Sequence, residues 1–147
     1  MKLSRLKGII SVFLGLLVSI AGMVSTVSAN DVCIIANKNV PVNDITSDML
    51  KDIFLGKKNT WDNGESINFV IMNSGESHND FLKTYLQKSN AQFNNYWKKQ
   101  VFTGQGSMPK ALNSDKAMSD FVASMNGAIG YVSASSDTKH VKIVTVK

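Results

Sequence analysis

The apolar positions of this chain change their spacing several times, and each change marks an element. Residues 32–36 form a short, β-branched apolar run bounded by polar residues, which predicts a buried strand. After a polar connection containing Pro41, Met49, Leu50, Ile53 and Phe54 fall at i, i+1, i+4 and i+5. That spacing predicts one stripe of a short helix, capped by Thr46 or Ser47 and stopped by Gly56. Residues 57–66 read as a loop around Trp61-Asp62-Asn63-Gly64, and residues 67–72 as a second strand. A polar loop over 73–77 enters a helix carrying Phe81, Leu82, Tyr85 and Leu86, and a further helix over 91–101 buries Phe93 and Trp97, with Tyr96 a further candidate. The clearest helix starts at Ser114 or Asp115, with Met118, Phe121, Val122 and Met125 at i, i+3, i+4 and i+7, and ends at Asn126-Gly127. Residues 128–132 and 141–146 read as the last two strands. Strands alternating with helices predict an α/β fold, a small mixed sheet flanked by helices, with no internal repeat or second-domain boundary.

The amino end follows a different rule. Lys2, Arg5 and Lys7 form a short positive region, residues 8–24 are almost wholly apolar, and Val27-Ser28-Ala29 places small or compact side chains behind them. This order predicts a secretory signal peptide over 1–29, cleaved near Ala29, and a mature domain over 30–147 in the periplasm or outside the cell. The apolar run is shorter than the roughly 20 residues of a spanning helix. Lipidation at Cys33 is not expected, because Asn30-Asp31-Val32 is not a small apolar set. Cys33 is the only cysteine, so no internal disulfide forms, and its apolar neighbours predict packing rather than chemistry.

Losing the amino end changes the charge. The whole chain carries +5, but without Lys2, Arg5 and Lys7 its 16 basic residues become 13 against 11 acids, a net of +2. The remaining lysines are scattered, which argues against nucleic acid as a partner. Catalysis is not expected either. Ser77, His78 and Asp80 lie too close along one helix to converge as nucleophile and base. No spacing of His, Cys and carboxylates suggests a metal or another cofactor. Trp61 is a candidate for a binding face, Lys57-Lys58 for attracting acidic partners, and Gly104-Gln105-Gly106-Ser107 for presenting backbone amides. For Lys57-Lys58 and the glycine-rich loop an ordinary solvated or connecting role is the simpler reading.

Two segments carry a resemblance. The run Ile45-Thr46-Ser47-Asp48-Met49-Leu50-Lys51-Asp52-Ile53-Phe54-Leu55-Gly56-Lys57, continuing to Trp61-Asp62, is similar to a run of the phosphate-binding proteins of ABC transporters, Leu-Thr…Leu…Ile-Phe-Leu-Gly-Lys…Trp-x-Asp. Asn126-Gly127-Ala128-Ile129-Gly130-Tyr131-Val132 resembles that family's Pro-Gly-Ala-Ile-Gly-Tyr-Val. The resemblance implies one lobe of a type II periplasmic binding protein, in a family whose members close two lobes on an anion. It also implies phosphate or a related small oxyanion as ligand and a membrane transporter as partner.

The family's phosphate loop reads Arg-x-Asp-Gly-Ser-Gly-Thr. Laid without a gap, this chain has Met72-Asn73-Ser74-Gly75-Glu76-Ser77-His78, which keeps only Gly75. Met72 removes the bidentate donor and Glu76 introduces a repelling carboxylate. Shifting the alignment pairs Ser74-Gly75 with the family's Ser-Gly instead, and both alignments stand. The candidate ligand residues are therefore Asn73, Ser74, Gly75, Ser77 and His78. His78 is expected either to donate to an anion when protonated or to lie on the surface of the first helical turn. The same loop also reads as a plain strand-to-helix turn capped by Asn73 or Ser74. Two functions follow: an anion-binding module, or a single-lobe protein-interaction module that has lost its ligand and docks on a transporter or another envelope protein. A homodimer would rebuild a two-sided cleft.

Overall fold

A computed structural model describes residues 32–147. The signal-peptide expectation for 1–29 lies outside the described residues. The chain runs β1 (Val32–Ala36), β2 (Asp44–Ile45), α1 (Ser47–Phe54), β3 (Asn68–Met72), α2 (Glu76–Phe81), a π-helical stretch (Leu82–Leu86), α3 (Asn90–Phe102), β4 (Lys110–Leu112), α4 (Asp115–Ser124), β5 (Ala128–Ser133) and β6 (Lys142–Val146). The six strands form one mixed sheet in the order β2-β6-β1-β5-β3-β4. β1 is antiparallel to both β5 and β6, while β2–β6, β3–β5 and β3–β4 are parallel pairs. The predicted mixed sheet flanked by helices is what forms.

Strand β5 is the spine of the core, buried from Ala128 to Val132. Because side chains alternate along a strand, its two faces meet different helices. Tyr131 faces the aromatic side chains of α1 and α2: its ring stacks on Phe81 at 3.9 Å and sits 5.9 Å from Phe54. Gly130 faces the other way, against Met118 of α4 and Val70 of β3. A strand buried on both faces needs an uninterrupted apolar run, which is what Ala128-Ile129-Gly130-Tyr131-Val132 supplies. The core residues described fall between Ile34 and Val144, so residues 30–147 contain every described element.

Two of the expected caps form, and a third helix is capped as well. Thr46 accepts from the Met49 amide at 3.1 Å, and Ser114 accepts from the Ala117 amide. Ser89 and Gln92 form a reciprocal capping box at the start of α3. The end of α4 differs from the expected Asn-Gly stop. The helix finishes at Ser124, and Met125, expected on the buried stripe, is extended and 40% exposed. The buried side chain of Asn37 takes the freed carbonyls instead, donating from Nδ2 to Val122 at 2.9 Å and Ala123 at 3.1 Å. Cys33 is half-buried beside the core, in line with packing. Among the described residues no helix is long and apolar enough to cross a membrane.

Candidate functional site

The loop between β3 and α2 lies where two parallel strands end. β3 pairs with β4 up to Met72↔Leu112, and the Asn73 amide then donates to the Leu112 carbonyl at 2.8 Å. The Asn73 side chain reaches Asn113 at 3.3 Å, which ties the loop to the turn before α4. Asn73, Ser74, Gly75 and Glu76 are exposed and Ser77 is half-buried. Neither Asn73 nor Ser74 caps the helix, contrary to the plain-turn expectation. The N-cap is Gly75, with φ 111° and no side-chain cap bond, and its carbonyl accepts the first helical bond from Asn79. The positive φ at Gly75 suits glycine.

His78 is the residue the sequence misplaced. It is 1% exposed and turned into the core, neither on the surface nor towards the loop. Its Nδ1 lies 2.5 Å from the Tyr131 hydroxyl and its Nε2 lies 3.3 Å from Asn90 Oδ1. The hydroxyl also accepts from the Met72 amide at 2.9 Å, so its own proton is free to go to Nδ1. That assignment leaves the Nε2 proton to donate to Asn90, and His78 is neutral with both ring nitrogens used. Burial lowers its pKa from 6.5 and outweighs the bond to Asn90, which raises it. Burial also pushes the Tyr131 phenol well above its ordinary value.

Met72, at the gapless position of the family's arginine, has its side chain in the core at 6% exposure. Residues 68–80 contain no lysine or arginine, and their only histidine is His78. The outward face of the loop therefore presents amides and hydroxyls from Asn73, Ser74, Gly75 and Ser77, together with the Glu76 carboxylate. This set can donate hydrogen bonds but supplies no cation. Among the described residues no cluster of His, Cys, Asp or Glu could hold a metal. Trp61 is not a binding face: it is 2% exposed and donates from Nε1 to the Gly127 carbonyl at 3.1 Å.

The neutral His78 makes stability pH-dependent. The unfolded chain binds a proton near pH 6.5, whereas the folded chain binds it only at lower pH. The stabilisation is complete above about pH 6.5 and is lost as pH falls below it towards the folded pKa. Within that window the slope approaches about 1.4 kcal/mol per pH unit. Urea unfolding at pH 7.5, 6 and 5 should show the fall, and His78→Gln should flatten it.

The fold has counterparts among known proteins. A family model described as a PBP superfamily domain matches residues 23–146. Among curated proteins no relative matches. Similar solved structures include an ABC-type phosphate transport receptor from Vibrio cholerae, with a TM-score of 0.60 and 20% identity over 80% of this chain and 46% of that one. PstS from Borrelia burgdorferi has a TM-score of 0.63 and 16% identity, over 80% of this chain and 47% of that one. A phosphate-binding protein from Stenotrophomonas maltophilia has a TM-score of 0.60 and 21% identity, over 80% and 39%. The chain thus spans less than half the length of these proteins. Identities this low speak for the fold alone.

Proposed function

Because the chain belongs to the family of PBP superfamily domains, we propose that this lobe is an exported, solute-binding-like module that has lost tight phosphate capture. It acts by docking on a membrane transporter or another envelope protein. One observation carries this reading: the only basic side chain of the loop, His78, is buried, neutral and fully bonded, while Glu76 faces solvent. A dianion in that loop meets hydrogen-bond donors and a like charge, and without a bidentate cation the donors alone must offset its desolvation. Export follows from the positive, apolar and small-residue order of residues 1–29.

The test is thermal unfolding of residues 30–147 with phosphate, with sulfate and with neither, at matched ionic strength. A ligand at 100 times its dissociation constant stabilises by about 2.7 kcal/mol. The expected result is no specific shift in millimolar phosphate. A clear shift with phosphate alone would overturn the loss of tight capture.

A second reading, oxyanion binding at the same loop, is favoured by the exposed Ser74 and Gly75 at the start of α2 and by the proteins of similar fold described as phosphate-binding. If the shift occurs, Ser74→Ala and Ser77→Ala should each weaken it. Unchanged affinity in both would place the anion elsewhere.

A further inference from the structure

Helix α3 ends in water rather than in the core. Its last residue, Phe102, keeps 92% of its surface exposed, beside Val101 at 43% and, beyond residues 103–107, Met108 at 51%. Phe54, Phe81 and Phe93 are each almost wholly buried, so this position departs from the way the fold treats its other core phenylalanines. An almost fully exposed aromatic ring followed and preceded by other exposed apolar side chains is a candidate contact surface.

The charge along this stretch of chain is of one sign. Lys98 and Lys99 precede Phe102 by four and three residues, the spacings that bring side chains together on a helix. Both are exposed. The Trp97 ring packs directly on Gly56 and on Gly106, which brings the turn after α1, and with it exposed Lys57, to the same end of the molecule. No Asp or Glu occurs between Trp97 and Lys110. The ion pairs found among the described residues engage Lys58, Lys116, Lys139 and Lys147, and none of them engages Lys57, Lys98 or Lys99.

We propose that this tip seats on an anionic lipid surface. Phe102 enters the boundary between headgroups and acyl chains, while Lys57, Lys98 and Lys99 reach the lipid phosphates. Basic charge around an exposed apolar side chain complements an anionic membrane, and long lysine stems lie along the apolar layer while their ends stay in water. A protein partner would need roughly 800 Å² from this side, and the tip offers one protruding ring with its immediate neighbours. The inference is independent of the loop between β3 and α2. It places the module at the bilayer, where a transporter would be met.

Flotation of residues 30–147 with vesicles tests it, comparing phosphatidylglycerol mixed with phosphatidylethanolamine against phosphatidylcholine alone. The protein should float with the anionic vesicles only, and high salt should release it. Phe102→Ser should abolish flotation without lowering the melting temperature, because the ring contributes little to the core. Each of Lys98→Ala and Lys99→Ala should weaken binding about fivefold. Absence of flotation with anionic vesicles, or equal flotation of wild type and Phe102→Ser, would overturn the proposal. The first of these outcomes would leave the tip to an acidic protein. A phosphate-induced melting shift has no bearing on either outcome, so the two readings fail separately.

Discussion

Tyr131→Phe is expected to destabilise the fold by about 2–5 kcal/mol while leaving its secondary structure intact. The substitution keeps the ring that stacks on Phe81 and removes only the hydroxyl. That oxygen accepts from the Met72 amide and donates to His78 Nδ1, and both Tyr131 and His78 are almost completely buried. Removing it leaves a buried donor and a buried acceptor without partners, each costing roughly 1–3 kcal/mol. Urea unfolding followed by tryptophan fluorescence measures the loss. A change under about 1 kcal/mol would mean that the hydroxyl contributes no more than an ordinary net hydrogen bond.

Gly127→Ala is expected to lose about 3 kcal/mol or more, for two separable reasons. Gly127 has φ 69°, and a left-handed conformation alone costs a non-glycine residue roughly 1–2 kcal/mol. A Cβ there would also lie 2.1 Å from the Ser66 carbonyl oxygen, which forces the backbone entering β3 to move. That movement disturbs the Gly127 carbonyl, which accepts from both Trp61 Nε1 and the Asn68 amide. Gly64→Ala is the control, with φ 85° but nothing within 4 Å of the added carbon. It should lose only the conformational part. Equal losses in the two variants, measured by urea unfolding, would remove the steric half of the argument.

Much of the fold was legible because its main signals are local. The stripe Met49, Leu50, Ile53, Phe54, the cap at Thr46 and the apolar run from Ala128 each depend on neighbours in sequence. What was not legible depends on distant partners. Strand β2 has two residues and β4 three, and both exist through pairing with β6 and β3 rather than through any apolar period of their own. Asn37 resembles a loop residue until α4, about 85 positions later in the chain, offers it two carbonyls.

The candidate site divides along the same line. The exposure of Asn73, Ser74 and Gly75 follows from a polar turn between a strand and a helix, and the sequence is enough to expect it. The inward turn of His78 requires the Tyr131 hydroxyl from 53 positions away, and a histidine in a first helical turn gives no local sign of it. The weak feature that could have pointed there is the tyrosine in Gly130-Tyr131-Val132. It is a polar ring in a strand otherwise apolar, and it needs a buried partner. Phe102 was equally opaque, because its place at the end of an amphipathic helix gives no hint that it remains in water.

The loss of phosphate capture depends on His78 being a core residue instead of the loop's cation. Nitrogen-resolved NMR of the imidazole across pH, with and without phosphate, measures this directly. The expected result is a neutral ring protonated at Nε2, a pKa below 6.5, and no response to phosphate. A pKa at or above 6.5 that rises further when phosphate is added would contradict it.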